Sequence, residues 1–292
     1  MIGAGTGGRR VREAMDAMSG TFTPSERHLR SVILADYPFA ALGLLQDLSD
    51  RANVSAPSIS RFVNKLGYRG FQEFQSSLLS ELRDARSSPI ELRRTPADES
   101  GDPLADHVRC ALELTRELAA RIPRDQFERI CRLLGDDRRR VFVLGGRMSD
   151  SIAGFFLRHM RQIRAGTYHV PSDTEVWPEY LLRMRPRDVV LLIDFRRYDT
   201  RLAEFAAAAR GRKAQTIVIT DPWISPSAKG ASELITVPIA SGTLWDSYVP
   251  AFVLIEALLV PLAERDWNRT RKRIEAWDGL RGIAAEAGTH ER

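Results

Sequence analysis

Cysteine is almost missing from this chain: Cys110 and Cys131 are the only two in 292 residues. Two thiols cannot make a disulfide framework or a zinc site. Both fall in helical patterns, where they are expected as small buried hydrophobes of a reducing compartment. Long hydrophobic runs are missing too. The longest, Val249–Leu262, is too short to span a bilayer, contains Glu256 and two prolines, and is expected as a buried helix. No N-terminal stretch joins a charged start and an apolar core to a small-residue cleavage site, so the chain is expected in the cytoplasm, away from membranes. GxxxxGK(S/T) does not occur and GxGxxG is never complete, which argues against an ATPase and a dinucleotide site; no cofactor is expected. His159 and His169 have no partner at ligand spacing, so no metal is expected either. Lysine is scarce, with four among the 43 basic residues, a bias that fits genomic base composition better than phosphate binding.

What remains is an ordinary globular composition, 43% hydrophobic and 28% charged, with a formal net charge of +5 that suits a polyanionic partner without demanding one. The length suits two domains of unequal size. Residues 1–19 are expected as a disordered entry segment, glycine-rich over its first ten residues. Residues 20–86 carry helix signals throughout. Thr23 caps a helix, Pro24 sits in its first turn, Glu26 completes a capping box, and Leu29, Val32 and Ile33 recur at helical spacing until Tyr37-Pro38. Helices over 42–52 and 57–66 follow, then one after Gly70 built on Phe71, Phe74, Leu78, Leu79 and Leu82. Residues 87–103, polar with three prolines, have the composition of a linker. Beyond them, short β-branched runs at 140–144, 167–170, 188–193, 216–220 and 233–238 alternate with helical stretches. That order predicts a five-stranded parallel sheet with helices on both faces. The expected fold class is an α+β two-domain chain: an all-α domain over 20–86, then an α/β domain over 104–292.

The most informative stretch is Leu48–Tyr68. Leu48, Ala52, Val54, Ile59, Phe62, Val63 and Leu66 form an apolar set that holds two short helices together across a turn at Asn53-Val54-Ser55. Ser55 is placed as an N-cap and Pro57 falls in the first turn, where a missing N–H costs nothing. The exposed face of the second helix then carries Ser55, Ser58, Ser60, Arg61, Asn64 and Lys65, with Arg69 just past its end. Small polar and basic groups of this kind reach base edges and phosphates in a major groove. These seven are the candidate contacts to double-stranded DNA.

In an open parallel sheet, ligands sit beyond the carboxyl ends of the strands. Three loops there are distinctive: Gly145–Ser149, a glycine-rich turn into a helix; Asp194–Thr200; and Thr220–Pro226. The first is a ready site for an anionic group. Arg196 and Arg197 either hold a phosphate or carboxylate bidentately or pair with Asp194 or Asp199 and close the site. Tyr198, Trp223 and Trp245 are expected as wall or packing residues.

The segment from Val54 to Phe62 (VSAPSISRF), followed by Lys65–Phe74 (KLGYRGFQEF), is similar almost throughout to a family signature, V-S-x-x-(T/S)-(I/V)-x-R-F…K-L-G-(F/Y)-x-G-(F/Y)-x-E-(F/L). It is the signature of bacterial RpiR/MurR-type transcriptional regulators, a helix-turn-helix joined to a C-terminal sugar isomerase (SIS) domain. The resemblance runs from about residue 20 to 264. It implies a Ser- and Gly-rich S-x-S-G-x-T loop after the third strand to cradle a sugar phosphate; here Asp194–Thr200 reads DFRRYDT and keeps only the final Thr. Ser149 and Thr220-Asp221 match the family pattern. With the loop residues Gly146, Arg147, Arg196 and Arg197 read above, the candidate effector contacts are Gly146, Arg147, Ser149, Arg196, Arg197, Thr200, Thr220 and Asp221. The expected function is a DNA-binding regulator whose SIS domain senses an anionic metabolite, a sugar phosphate or small organic acid, and modulates binding to a palindromic operator. A homodimer or dimer of dimers is expected with it. Two alternatives stand beside this one: a SIS domain used only for dimerisation, and a phosphosugar isomerase, for which the sequence offers no convincing acid–base pair.

Overall fold

The structure, a computed structural model, describes residues 11–35, 37–86 and 101–287. Internal contacts divide the chain into two compact units, with the division between residues 87 and 88. The first is all helix: α1 (Val11–Ala17), α2 (Pro24–Ala35), α3 (Leu45–Ala52), α4 (Ala56–Lys65) and α5 (Phe71–Arg86). The expected capping box opens α2, where Thr23 Oγ1 accepts from the Glu26 N–H at 3.3 Å and the Glu26 carboxylate accepts from the Thr23 N–H at 2.7 Å. Helices α3 and α4 end alike. Each stops at a left-handed residue, Asn53 (φ 47°) and Gly67 (φ 97°), and the next amide reaches back into the helix, Val54 to the Ser49 carbonyl at 3.1 Å and Tyr68 to that of Val63 at 3.2 Å. This closure satisfies the last carbonyls and fixes the turn angle. Leu48 and Ala52 of α3 then meet Ile59, Phe62 and Val63 of α4 in one core with Phe22, Leu29, Phe74 and Leu78.

The entry segment expected over 1–19 is corrected. Helix α1 already belongs to this core: Val11, Ala14 and Met15 are buried, and the Val11 N–H donates to the buried carboxylate of Glu81 at 2.6 Å. Val11, Ala14, Met15 and Met18 recur at the helical i, i+3, i+4, i+7 period. The glycine-rich stretch Met1–Arg10, which lies outside the described residues, drew the expected boundary too far along the chain. Residues 87–100 of the expected linker also lie outside the described residues. Asp102 then caps the next helix, accepting from the Leu104 and Ala105 amides at 3.0 and 3.1 Å.

The second unit contains α6 (Pro103–Arg121), α7 (Arg124–Leu134), β1 (Val141–Gly145), α8 (Asp150–Ile163), β2 (Thr167–His169), α9 (Trp177–Arg183), β3 (Val189–Asp194), α10 (Thr200–Gly211), β4 (Gln215–Thr220), β5 (Glu233–Thr236), α11 (Val249–Glu264) and α12 (Trp267–Ala287). The strands form one parallel sheet in the order β2-β1-β3-β4-β5. Every residue of β1 and β3 is buried, as unbroken apolar strands between two helical layers must be. Trp177, Leu202 and Phe205 cover one face, while α8 packs on β1 and on α11. The register sets Gly145 beside Ile193 and Asp194 beside Thr220, so the loops that leave β1, β3 and β4 share one edge.

Two smaller expectations change. Cys110 and Cys131 are half-buried free thiols rather than core residues, and burial pushes the Cys131 thiol up to about 11, away from a reactive thiolate. Helix α11 is one-sided rather than wholly buried: Leu254, Ile255 and Leu258 face the core, while Glu256 and Val260 face solvent. Among the described residues, no helix is long and apolar enough to cross a membrane.

Candidate DNA-binding face and effector site

Helix α4 buries one stripe and presents the other. At 100° per residue, Ile59, Phe62, Val63 and Leu66 cluster on one side, which leaves Pro57, Arg61 and Asn64 at the centre of the other. Ser55, Arg61, Asn64 and Arg69 are exposed and Ser58 is half-buried. Ser55 takes the N-cap backbone conformation, but its side chain makes no cap hydrogen bond. Its hydroxyl lies 2.9 Å from the Ser58 hydroxyl instead, and the Ser58 hydroxyl accepts from Arg61 Nη2 at 2.9 Å. A polar chain therefore runs along the outer face of the helix.

Two of the seven candidates are engaged within the unit. Ser60 donates back to the Ala56 carbonyl at 3.2 Å. Lys65 donates to the Thr21 carbonyl at 2.8 Å and to the Glu26 carboxylate at 2.9 Å, which ties α4 to the start of α2. Partial burial opposes ionisation of Glu26, but the Thr23 amide and the Lys65 ammonium together hold its carboxyl below the usual range.

At the shared edge of the sheet the polar groups turn inward. The Ser149 hydroxyl is buried, accepts from the Gly146 N–H at 2.9 Å and donates to the Ile193 carbonyl at 2.6 Å, stapling the β1 loop to β3. Gly145 is required there, since a Cβ would lie 2.5 Å from the Asp150 amide nitrogen. Asp194 accepts from the hydroxyls of Ser225 and Ser227. Asp221 is fully buried and accepts from the Tyr198 hydroxyl at 2.6 Å and the Trp223 amide at 2.9 Å, with Oδ2 unpartnered among the described residues. Burial pushes the Asp194 carboxyl up to about 7 and that of Asp221 up to about 6. Thr220 is also buried, and its hydroxyl accepts from the Ser225 amide at 3.0 Å.

The double-arginine clamp is corrected. Arg196 is buried and pairs with Asp246 at 2.8 Å while its guanidinium lies 4.0 Å from the centroid of the Trp223 ring. Neither Asp194 nor Asp199 takes it: Asp194 faces its two serines, and Asp199 caps α10 and pairs with Arg201 at 2.6 Å. Asp246 is the residue that sequence reasoning missed, because its partner is far away in the chain and no local pattern marks it. Of the eight effector candidates, Arg147, Arg197 and Thr200 are exposed at the edge and Gly146 is half-buried. Ser149, Arg196, Thr220 and Asp221 are committed inside it.

The chain can now be set beside known proteins. Residues 10–85 match the helix-turn-helix domain of the rpiR family, and residues 136–261 match the SIS domain. A curated relative, the HTH-type transcriptional regulator HexR of Escherichia coli K12, is 26% identical over 241 residues, 81% of this chain and 80% of its own. An uncharacterized HTH-type transcriptional regulator of Thermotoga maritima is 23% identical over 270 residues, 88% and 92% of the two chains. Among solved structures, the sugar isomerase domain of an RpiR transcription factor from Sphaerobacter thermophilus superposes with a TM-score of 0.57 at 17% identity, over 61% of this chain and 99% of that one. The Vibrio vulnificus NanR protein complexed with ManNAc-6P gives 0.52 at 17% identity, over 92% and 96%. This is an α+β chain with a helix-turn-helix domain followed by a SIS domain. It belongs to the RpiR family of transcriptional regulators.

Proposed function

We propose that α4 is the recognition helix of this regulator and that Ser55, Ser58, Arg61, Asn64 and Arg69 meet double-stranded DNA. The polar chain from Ser55 through Ser58 to Arg61 carries this reading. It orients the Arg61 fork along the outer face and leaves other N–H donors for a guanine edge or a phosphate. Ser60 and Lys65 serve the fold instead. A homodimer on a palindromic operator follows from the need to match two half-sites. Support comes from α6, where Leu104, Val108 and Leu112 recur every four residues and are 73%, 48% and 52% exposed. The regulator works in the cytoplasm as a binding protein. It is not an enzyme on this reading, since Ser225 and Ser227 hold Asp194, and the Tyr198 hydroxyl and the Trp223 amide hold Oδ1 of Asp221. In a gel-shift titration on its own promoter region, Arg61→Ala is expected to weaken binding by about 1–3 kcal/mol; unchanged affinity would remove α4 from the interface.

The SIS domain, on this proposal, senses an anionic metabolite at the edge carrying Arg147, Arg197 and Thr200. Arg147 and Arg197 leave adjacent strands, β1 and β3, which suits a phosphate or carboxylate held between two guanidiniums. The sugar phosphate bound by NanR, of the same fold, supports that class of ligand. To regulate, the ligand must bind the DNA-competent and DNA-incompetent states unequally. A second reading, a SIS domain used only for dimerisation, is favoured by the commitment of Ser149 and Arg196 to internal partners. Thermal-shift titration with sugar phosphates and small organic acids separates the two. A saturable rise that Arg197→Ala abolishes supports the sensor, and a flat response across the panel supports the second reading.

A further inference from the structure

The amino-terminal edge of the sheet, opposite the loops just described, carries a cleft of about 510 Å³. That is the scale of a small-molecule pocket rather than of a duplex. Arg129, Arg132, Arg138, Arg139 and Arg265 line it against only two carboxylates, Asp136 and Glu233. Most of these arginines have work inside the fold. Arg139 donates to Asp136 at 2.9 Å, to the Arg187 carbonyl at 2.8 Å and to Gln215 at 2.7 Å, while Arg138 pairs with Asp136 and Arg129 with Glu233 and Asp125. Buried Arg164 braces the turn from behind, donating to the carbonyls of Leu134 at 2.7 Å, Asp136 at 3.0 Å and Arg139.

Arg132 and Arg265 differ from the rest. They come from separate helical segments, the end of α7 and the residue after α11, yet Arg265 Nη1 reaches the Arg132 carbonyl at 3.5 Å. Among the described residues, neither guanidinium has an ion pair. With Asp125 counted against Arg129, five guanidiniums meet three carboxylates, which leaves two positive charges uncompensated on one concave, braced wall. Holding like charges together costs energy unless an anion relieves it, and the planar fork of arginine matches phosphate oxygens two at a time.

We propose that this cleft is an anion site separate from the effector edge. Its ligand is a small phosphate-bearing metabolite with at least two negative charges, gripped by Arg132 and Arg265. The site does not depend on the sensor reading and stands if that reading fails. Calorimetric titration of the full chain with sodium pyrophosphate, at ionic strength held constant with sodium chloride, tests it. One saturable site per chain is expected, weakened about tenfold or more by Arg132→Ala or Arg265→Ala and unchanged by Arg197→Ala. Arg132 is exposed, so its variant keeps the test decisive should Arg265→Ala fail to fold. Absence of saturable heat overturns the proposal, as does heat lost in Arg197→Ala, heat indifferent to Arg132→Ala, or heat that follows ionic strength alone. If Arg132→Ala weakens operator DNA while pyrophosphate gives no heat, the face belongs to the duplex backbone and the metabolite site is refuted.

Discussion

The outer face of α4 and the carboxyl edge of the SIS sheet both carry the polar residues that ligand binding needs, yet they hold them in opposite ways. On α4 the hydroxyls of Ser55 and Ser58 and the Arg61 guanidinium bond to each other along an exposed surface. At the sheet edge Ser149, Arg196, Thr220 and Asp221 bond inward and are buried. A surface helix has solvent on one side, so a polar residue at the centre of that side stays available, and only those at its flanks, Ser60 and Lys65, find partners in the fold. Residues at a strand end lie among neighbouring loops, any of which can supply a partner. Residue type therefore predicts presentation on the helix much better than at the sheet edge.

Removing the one charged group among those internal partners is the strongest way to break the contrast, because it strands a buried guanidinium. Asp246→Ala takes away the carboxylate that faces Arg196, whose side chain is 4% exposed. Breaking a buried pair from one side typically costs about 3–5 kcal/mol, because the remaining charge keeps its desolvation penalty. The melting temperature of the SIS unit is expected to fall accordingly, and Arg196→Met with Asp246→Leu together to restore most of it. If Asp246→Ala melted like the parent, the edge would be open and Arg196 free to serve as a clamp after all.

Acidity probes the same interior at the next scale. Burial raises Asp194 to about 7 and Asp221 to about 6, whereas an unfolded chain titrates aspartate near 4. Between those values the folded protein binds more protons than the unfolded one. The stability the two groups contribute is complete below about pH 4 and is lost as pH climbs through 6 to 7. Asp136, held low first by its Arg138 hydrogen bond, acts in the other sense, and its contribution fades only below about pH 4. From pH 5 to 7 stability should therefore fall by on the order of 1 kcal/mol per pH unit, with the melting temperature falling alongside, and Asp194→Asn should flatten the slope. A melting temperature that rises over that range would place both carboxylates in water.

Much of the fold was legible because its signals are local. Unbroken apolar runs marked the buried parallel strands, and Asn53 and Gly67 marked the two helix ends that define the turn. Helix α1 was legible too, through the period of Val11, Ala14 and Met15, had the glycines before it not masked its start. The pairing of Arg196 with Asp246 was not legible, since only the folded sheet brings the β3 loop to the segment before α11. Lys65 failed for a different reason. Periodicity gives the direction of a Cβ, but a long stem can carry its charge elsewhere, and this one passes over the Phe22 ring, with Nζ 5.5 Å from the centroid, to reach Glu26. Lys65→Ala is accordingly expected to lower the stability of the helical unit by about 0.5–1 kcal/mol, a modest figure for a partly exposed pair. Relative affinities among operator sequences should not move; a change in base preference would return Lys65 to the groove.

The smallest effect sharpens the comparison from the helix side. A serine at an N-cap position normally contributes about 1 kcal/mol through its bond to a backbone amide. Ser55 has the backbone conformation of a cap but gives its hydroxyl to Ser58, so no such bond exists to lose. Ser55→Ala should therefore cost only a few tenths of a kcal/mol in a denaturant titration. Operator affinity should fall by more than that, because the substitution unpins Ser58 and, through it, the Arg61 fork. A stability loss of full cap size with unaltered DNA binding would mean that the hydroxyl turns toward the backbone in solution. The outer face of α4 would then be as inwardly committed as the edge of the sheet.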